Sequence, residues 1–308
     1  MVHCDVLILG AGPAGLSAAI YAARAKMNTI VVDEGIAGGQ VATTFNVANY
    51  PGTNGVIRGT DLVGNMTRQA LDFGSRIDDM KEIQKLELTG EEKHVTSEDT
   101  DYFVKCIIIA TGAAPRKLPA EGERDFRGRG VHYCAACDGA MYQDADLLVA
   151  GGGNSAVEEA VFLTRYAKHV TVIHQLDHFQ ASKTAQDELF KNPGISVIWN
   201  SEIRRVFGDS FLKGAVVEDL KTGQQREINA DGVFVYIGMQ PRTDLFKGLL
   251  DLDEKGYIIC DEDMNTSAAG VFAAGDVRVK RIRQIATAAN DGVIAGLMAE
   301  KYINKRGN

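Results

Sequence analysis

Two cysteines separated by two residues are the best candidates for chemistry in this sequence. They are Cys134 and Cys137, in the segment VHYCAACDGAM. A pair with this spacing can close a small disulfide at the start of a helix, where free N–H groups and the helix dipole favour the thiolate. Asp138 follows directly, and a carboxyl group beside a dithiol can carry the protons of disulfide exchange. We therefore predict Cys134, Cys137 and Asp138 as the catalytic residues.

Two other interpretations of the cysteine pair remain open, a zinc half-site and two inert core cysteines. Zinc requires about four ligands, and although His132 is near, the sequence has no second CxxC pair. We therefore predict no metal. We see no targeting segment, so the cytoplasm is the predicted location, and a CxxC pair there is more often catalytic than structural.

Two similar segments frame the cysteine pair and predict the fold. Residues 5–34 and 146–175 each read as an apolar strand, a glycine turn, an alanine-rich helix and a second apolar strand. We predict an α/β fold with two Rossmann-like dinucleotide-binding domains, the second inserted in the first. Each domain is expected to have three layers built on a parallel sheet, with β-meanders. The predicted domains are 1–114 with 241–308, and 115–240.

Two boundaries of single elements are predicted from local pattern. The apolar run ISVIWNSEIRRVFG predicts one strand over residues 195–208. The segment after GVFAAGD predicts a last helix over about residues 283–302.

The first glycine motif, GAGPAG, predicts an FAD site because it follows a strand and opens a helix. Gly10 permits the tight turn, Gly12 lets the backbone approach a pyrophosphate, and Gly15 lets helix and strand pack closely. Asp33 and Glu34 stand at the end of the next strand, where either carboxylate can accept a hydrogen bond from a ribose hydroxyl. The alternative is a structural turn with a solvated acidic pair.

Two later segments favour a flavin over a plain nicotinamide coenzyme. ATG, residues 110–112, lies where the chain returns past the adenosine half. AAGDV, residues 273–277, precedes the last helix. Asp276 can bond the ribityl chain, and the N-terminus of that helix can face the flavin pyrimidine. From these motifs the predicted FAD-binding residues are Gly10, Gly12, Pro13, Ala14, Gly15, Asp33, Glu34, Ala110, Thr111, Gly112, Gly275 and Asp276.

The composition excludes two classes of function. The 308 residues carry a net charge of −8, which argues against general nucleic-acid binding because that needs a basic surface. The apolar N-terminal stretch resembles a membrane span, but glycines interrupt it in the middle, so we expect a strand, a turn and a helix, and no membrane association.

The motifs together resemble the low-molecular-weight thioredoxin reductases over essentially the whole chain. The matching segments are Gly10–Arg24, Gly38–Gln40, Asn49–Gly52, Ala110–Arg116, Gly128–Gly139, Gly151–Ala160 and Phe272–Gly292. The resemblance implies FAD in the first domain, a redox pair at Cys134 and Cys137 in the second, and Asp138 as proton donor. It also implies a homodimer that reduces thioredoxin. The FAD contacts that it implies are Glu34, Gly39, Gln40, Asn49, Asp276, Arg283, Gln284 and Ile285.

One stretch departs from this resemblance. NADPH-using members of the family carry a pattern like HRRxxFRA after the second glycine motif, and its arginines clamp the 2′-phosphate. Here the matching positions hold Gln175, Leu176 and Gln180. A charge-assisted hydrogen bond contributes about 1.5–3 kcal/mol, so losing two costs about 3–6 kcal/mol before solvent exposure is considered. NADH would favour an acidic residue at the strand end, where His174 stands, with Asp177 as a late substitute.

These observations lead to a hypothesis for the electron donor. We expect the second domain to use NADPH poorly or not at all, and reduced ferredoxin or a deazaflavin coenzyme to supply the electrons. Four cations near the start of the last helix, Arg278, Lys280, Arg281 and Arg283, are candidates for a basic docking face for an acidic ferredoxin; the alternative is that they serve FAD binding and a solvated helix face. The alternatives are NADH or NADPH held by unfamiliar contacts, and a flavin redox sensor without turnover.

Overall fold

The structure, a computed structural model, describes residues 1–44 and 46–306. The chain divides into two compact units, Met1–Ala114 with Gln240–Asn308, and Pro115–Met239. We call them the outer unit and the inserted unit. Among the described residues, no helix is both long and apolar enough to cross a membrane.

The strands are numbered in chain order. They are β1 Val2–Leu9, β2 Thr29–Val32, β3 Asn46–Val47, β4 Ile57–Arg58, β5 Arg76–Asp78, β6 Ile83–Glu87, β7 Lys93–Ser97, β8 Asp101–Ile109, β9 Ala113–Pro115, β10 Val131–His132, β11 Asp146–Ala150, β12 His169–Ile173, β13 Ile195–Ile198, β14 Ser201–Gly208, β15 Leu212–Asp219, β16 Gln225–Asn229, β17 Gly232–Val235, β18 Met239–Pro241 and β19 Val271–Ala273.

The α-helices are numbered in the same way. They are α1 Pro13–Arg24, α2 Gly59–Asp72, α3 Glu123–Phe126, α4 Ala135–Asp138, α5 Asn154–Leu163, α6 Lys183–Lys191 and α7 Ile285–Arg306. Short 3-10 turns lie at Gly39–Thr43, Gly139–Met141, Asp244–Phe246 and Gly275–Val277.

The outer unit is built on a sheet with the order β5-β2-β1-β8-β7-β6, and β19 pairs with β8. β1 runs parallel to both neighbours, so the ends of three strands align at Leu9, Val32 and Ile109. β6, β7 and β8 form an antiparallel meander. Because β1 and β2 are almost continuously apolar, they are buried on both faces.

Helices α1 and α7 of the outer unit cross with their backbones almost in contact. A Cβ atom on Gly292 would lie 2.0 Å from the carbonyl oxygen of Ala14, and one on Gly296 would lie 2.9 Å from that of Ala18. Since no side chain fits there, glycine at both positions permits the close approach.

The inserted unit repeats the same plan. A parallel sheet has the order β10-β17-β11-β12-β13, and β14, β15 and β16 form a separate antiparallel sheet. Two units that each combine a parallel sheet, helices and a meander confirm the predicted α/β class with two Rossmann-like folds.

Two predicted elements differ from the structure. The single strand predicted over residues 195–208 is two strands, β13 and β14, because Asn200 adopts φ 51° and turns the chain between them. Asparagine tolerates this left-handed conformation better than most residues. The last helix begins at Ile285 and ends at Arg306, so the predicted range of 283–302 is two residues early at its start and too short at its end.

Candidate redox site

The predicted cysteine pair lies at the start of α4. Cys134 and Cys137 are joined in a disulfide with their Cα atoms 5.3 Å apart. Cys134 caps the helix, because its Sγ accepts a hydrogen bond from the backbone N–H of Cys137 at 3.2 Å. The N–H of Ala135 donates to the Tyr236 hydroxyl at 2.9 Å. The Cys134 sulfur therefore stands where a backbone N–H stabilises a thiolate.

Asp138 ends α4 and contacts a histidine that the sequence prediction considered only as a zinc ligand. Nδ1 of His132 is 3.0 Å from Oδ2 of Asp138, and Nε2 is 2.7 Å from the Tyr142 hydroxyl. His132 stacks on Phe234, with ring centroids 5.3 Å apart. A sequence signal existed: His132 lies two residues before Cys134, and in extended chain that spacing directs both side chains to one side.

The first glycine turn has room beside only one of its three motif glycines. Gly10 has φ +105°, and its Cβ would lie 2.4 Å from the carbonyl oxygen of Ala110. A Cβ on Gly15 would lie 1.8 Å from the carbonyl oxygen of Gly10. At Gly12 the nearest atom is the Cα of Gly39, at 3.9 Å. A phosphate can therefore approach the backbone at Gly12, directly before α1.

The two acidic residues after β2 have different roles, and both follow the strand, which ends at Val32. Asp33 accepts hydrogen bonds from the N–H groups of Ala11, at 2.6 Å, and Gly35, at 2.8 Å. Its carboxylate thus holds the glycine turn in shape. Glu34 is half-exposed, and its ion-pair partner among the described residues is Arg242, at 3.8 Å. Of the two carboxylates predicted to accept a ribose hydroxyl, that of Glu34 makes fewer contacts within the protein.

Other predicted FAD residues meet around the same turn. Pro13 is the first residue of α1, and a Cβ on Gly275 would lie 2.8 Å from the Cβ of Ala14. The side-chain amide of Gln40 donates to the carbonyl oxygen of Ala113.

Five further predicted positions lie in loops: Asn49, Ala110, Thr111, Gly112 and Gln284. Thr111, between Ala110 and the left-handed Gly112, donates from its hydroxyl to the carbonyl oxygen of Arg242 at 2.8 Å. Asn49 donates to the side chain of Gln284 at 3.1 Å.

Asp276 and Arg283 each carry a buried polar atom without a protein partner. Oδ1 of Asp276 and Nε of Arg283 find no hydrogen-bond partner among the residues that the structure describes. Burial raises the pKa of Asp276, while Lys280 and Arg283 oppose that effect. The guanidinium of Arg283 lies 4.1 Å from the ring centre of Tyr257. A buried carboxylate oxygen without a partner is unfavourable, so it fits a ligand hydroxyl.

The predicted basic docking face is wrong for two of its four cations. Nε of Arg278 and Nζ of Lys280 lie 2.8 and 2.7 Å from Oδ2 of Asp291. All three side chains are largely buried. Burial alone would raise the pKa of Asp291, but hydrogen bonds from the two cations lower it below its usual value. Arg281 is exposed.

The second glycine turn is followed by the loop that is predicted to depart from the NADPH-binding pattern. Space is open at Gly153, whereas the His174 ring lies against Gly152, within 2.3 Å of where a Cβ would stand. Gln175 and Gln180 are exposed, and Asp177 is also exposed, 2.8 Å from Nδ1 of the His178 ring. Since residues 174–182 include no lysine or arginine, this loop presents neutral and acidic groups.

Comparison with known proteins assigns the chain to a family. The family model described as pyridine nucleotide-disulphide oxidoreductase matches residues 4–292. The chain belongs to the pyridine nucleotide-disulphide oxidoreductase family. The predicted resemblance is therefore confirmed at this level.

Within this family, two related proteins and two solved structures are similar to the chain over nearly its whole length. The 34.2 kDa protein in the rubredoxin operon of Clostridium pasteurianum is 53% identical over 97% of both chains. A thioredoxin reductase of Peptoclostridium acidaminophilum is 45% identical, covering 97% of this chain and 96% of its own.

Among solved structures, Lactococcus lactis thioredoxin reductase in its FR conformation has a TM-score of 0.95 and 40% identity, covering 98% of this chain and 99% of its own. A ferredoxin-flavin thioredoxin reductase from Clostridium acetobutylicum has a TM-score of 0.54 and 27% identity over 99% of both chains.

The present chain, as a member of the pyridine nucleotide-disulphide oxidoreductase family, is an enzyme of the flavoprotein disulfide reductase class, as its sequence predicts.

The outer unit of this pyridine nucleotide-disulphide oxidoreductase fits the flavin that the family implies. The open space at Gly12 suits a phosphate, half-exposed Glu34 suits a ribose, and the unpartnered Oδ1 of Asp276 suits a ligand hydroxyl. The three groups come from separate segments that converge around the first turn.

The Asp291 cluster leads to a stability prediction. We expect Asp291→Asn to lower the free energy of unfolding by about 3–5 kcal/mol, since it leaves two buried cations uncompensated. The folded-state pKa of Asp291 is lowered, so its contribution is present above the unfolded pKa of about 3.9 and is lost as pH falls through the folded pKa. Urea titration near neutral pH and in acid should show the difference shrinking in acid.

A surface ion pair provides the control for that measurement. Asp244 and Lys247 are paired but largely exposed, so Asp244→Asn should change the free energy of unfolding by less than about 1 kcal/mol. Equal effects of the two variants would contradict the role given to Asp291.

Proposed function

We propose that this enzyme reduces thioredoxin through FAD and the Cys134–Cys137 dithiol, with an electron donor other than NADPH. The observation that carries the proposal is the capped disulfide at α4 with Asp138 at the end of the same helix. The names of its relatives, thioredoxin reductases of 40–45% identity, support thioredoxin as the substrate. A homodimer in the cytoplasm is part of the same proposal.

The predicted catalytic residues and three of the predicted FAD-binding residues each have a defined task in this reaction. Bound FAD would supply two electrons to the disulfide. Cys134 and Cys137 then exchange with the disulfide of thioredoxin, and the N–H groups at the start of α4 stabilise the thiolate that attacks. Asp138 transfers protons at the sulfurs. Gly12, Glu34 and Asp276 would hold the pyrophosphate, a ribose hydroxyl and the ribityl chain of FAD.

The charge of the loop after β12 supports the proposal for the donor. The 2′-phosphate that distinguishes NADPH from NADH needs cations, as in the arginine patterns of dinucleotide folds. In this chain the phosphate would meet Gln175, Asp177 and Gln180. A ferredoxin-type donor needs no such clamp, and a ferredoxin-flavin thioredoxin reductase is among the structural relatives.

An anaerobic donor experiment tests the proposal. The purified yellow protein is mixed with NADPH, NADH or enzymatically reduced ferredoxin, and the flavin absorbance is followed before oxidised thioredoxin is added. We expect ferredoxin to bleach the flavin and thioredoxin to restore its colour. Rapid bleaching by micromolar NADPH would exclude the proposed donor. Bleaching without thioredoxin turnover would instead favour a redox sensor.

Two alanine substitutions test the flavin site. Gly12→Ala places a methyl group in open space beside α1, so we expect a folded protein that has lost most of its FAD. Gly10→Ala forces a side chain into positive φ and against the Ala110 carbonyl oxygen, so we expect a loss of stability of at least about 1–3 kcal/mol. The ratio of flavin to protein absorbance and thermal unfolding of the apoproteins measure the two effects. If Gly12→Ala kept a full complement of FAD, the assignment of Gly12 to the pyrophosphate would be wrong.

A further inference from the structure

His132 is a buried histidine beside the predicted proton donor, and the reaction described above gives it no task. Its side chain is 3% exposed, whereas that of Asp138 is 32% exposed. Nδ1 contacts Asp138 at 3.0 Å and Nε2 contacts the Tyr142 hydroxyl at 2.7 Å. The three side chains therefore form a hydrogen-bonded row that ends at the helix of the disulfide.

The chemistry of the groups fixes the direction of these hydrogen bonds. An ionised carboxylate only accepts, so Nδ1–H of His132 donates to Asp138. In a neutral imidazole the other nitrogen then accepts, so the Tyr142 O–H donates to Nε2. Burial, with smaller contributions from Asp138 and Asp231, raises the pKa of Tyr142 to about 12. The phenol therefore keeps its proton at neutral pH and remains a donor.

Packing holds the row in place. The imidazole stacks on Phe234, and the Tyr142 ring meets the same phenylalanine edge-on with centroids 5.7 Å apart. Gly232 makes room for the phenol, because a Cβ there would lie 2.9 Å from the Tyr142 ring. The ring of His132 thus has little freedom to turn away from Asp138.

We propose that His132 is a positioning residue for disulfide exchange, which holds the Asp138 carboxylate in one orientation while Tyr142 fixes the imidazole tautomer. The inference rests on the proposed function of the dithiol. In the exchange, two electrons pass from the enzyme dithiol to the substrate disulfide. The substrate S–S bond breaks as the Cys134–Cys137 bond forms, and two protons move from the enzyme thiols to the substrate thiolates. Asp138 takes and returns a proton in that transfer, so its orientation affects the rate.

The acidic surroundings give the proposal a pH signature. The ionisable groups around the row are Asp138, Tyr142, Asp231, Tyr236 and Glu159. All of these groups are acids, and within the described part of the row the Nδ1–H of His132 is the donor that faces the Asp138 carboxylate. Without the imidazole the Asp138 carboxylate loses a hydrogen-bond donor, and removing such a donor from a carboxylate makes its protonation easier. The acid limb of the pH–rate profile should then move to higher pH.

A single-turnover reaction with a small aromatic disulfide tests the inference without thioredoxin or an electron donor. The protein is reduced with dithiothreitol, desalted anaerobically and mixed with 5,5′-dithiobis(2-nitrobenzoate), and the coloured thiolate is followed at several pH values. We expect His132→Phe, which keeps an aromatic ring, to slow the reaction about tenfold or more and to shift the acid limb upward. Tyr142→Phe should shift it in the same direction by less.

Matched variants separate this role from other effects. His94 forms a histidine–carboxylate contact of 2.8 Å with Asp101 in the outer unit, so His94→Phe should behave like the wild type. A Cys134→Ser/Cys137→Ser protein gives the background from the other thiols.

The outcomes distinguish failure of the inference about His132 from failure of the proposed function of the dithiol. A wild-type rate and pH profile in His132→Phe would overturn the inference. If circular dichroism showed that variant unfolded, an unchanged profile in Tyr142→Phe would overturn it instead. A wild-type dithiol that did not reduce the small disulfide would count against the proposed function itself.

Discussion

Replacing Cys137 with serine should abolish turnover of thioredoxin while leaving the flavin in place. We expect the rate to fall by at least about a thousandfold, because the disulfide that relays the electrons can no longer form. The FAD-binding groups lie in the outer unit and Cys137 in the inserted unit, so the yellow colour should persist. Anaerobic assays with the working electron donor and oxidised thioredoxin measure the loss.

A cysteine outside the pair is the matched control. Cys260 is a half-buried free thiol in the outer unit, and Cys260→Ser should retain turnover close to that of the wild type. Full activity of Cys137→Ser would remove the dithiol from the mechanism. Loss of FAD from Cys137→Ser would mean that the substitution acts through folding.

Three arginines placed after β12 should create affinity for NADPH. The variant Gln175→Arg/Leu176→Arg/Gln180→Arg restores the cations that clamp a 2′-phosphate in related enzymes. Each charge-assisted hydrogen bond contributes about 1.5–3 kcal/mol when shielded and less when exposed. Since two of these positions are exposed, we expect affinity for NADPH to rise at least about tenfold. Titration of the purified proteins with NADPH provides the dissociation constants.

NADH is the matched ligand for this experiment, because it differs from NADPH only by the missing phosphate. Its affinity should change little in the triple variant. Gln224→Arg, which adds a cation to an exposed loop elsewhere in the inserted unit, controls for net charge. An equal gain in affinity for NADH, or tight binding of NADPH by the wild type, would contradict the proposal that the loop at residues 174–182 lacks a site for the 2′-phosphate.

The glycine turns were predictable because their determinants are adjacent in sequence. A buried strand, a glycine with positive φ and a helix N-terminus follow one another within about a dozen residues, as in DVLILGAGPAG. The roles of Asp33 and Glu34 were not separable in the same way. Both are acidic and both follow β2, and only the fold shows that Asp33 is engaged by the backbone at Ala11 and Gly35.

Whether the cations near α7 are solvated or paired depends on tertiary contacts. Arg278 and Lys280 precede the helix and look solvated in sequence, but Asp291, which lies inside the helix, pairs with both. A carboxylate more than ten residues away neutralises them, and the sequence between Lys280 and Asp291 does not specify that contact. His132 illustrates the same limit. Its distance from Asp138 depends on how β10 meets α4, and the spacing of the two residues in sequence does not specify that.

The close crossing of α1 and α7 also governs when the molecule can fold. Helix α1 leaves the ribosome early, whereas the glycines on which it packs, Gly292 and Gly296, are synthesised only after the whole inserted unit. The inserted unit, 115–239, is complete well before them. During translation the face of α1 that packs on α7 therefore stays uncovered until Gly292 and Gly296 have been synthesised. Because Asp276 also follows the inserted unit, we expect the proposed FAD-binding groups to assemble only at that stage.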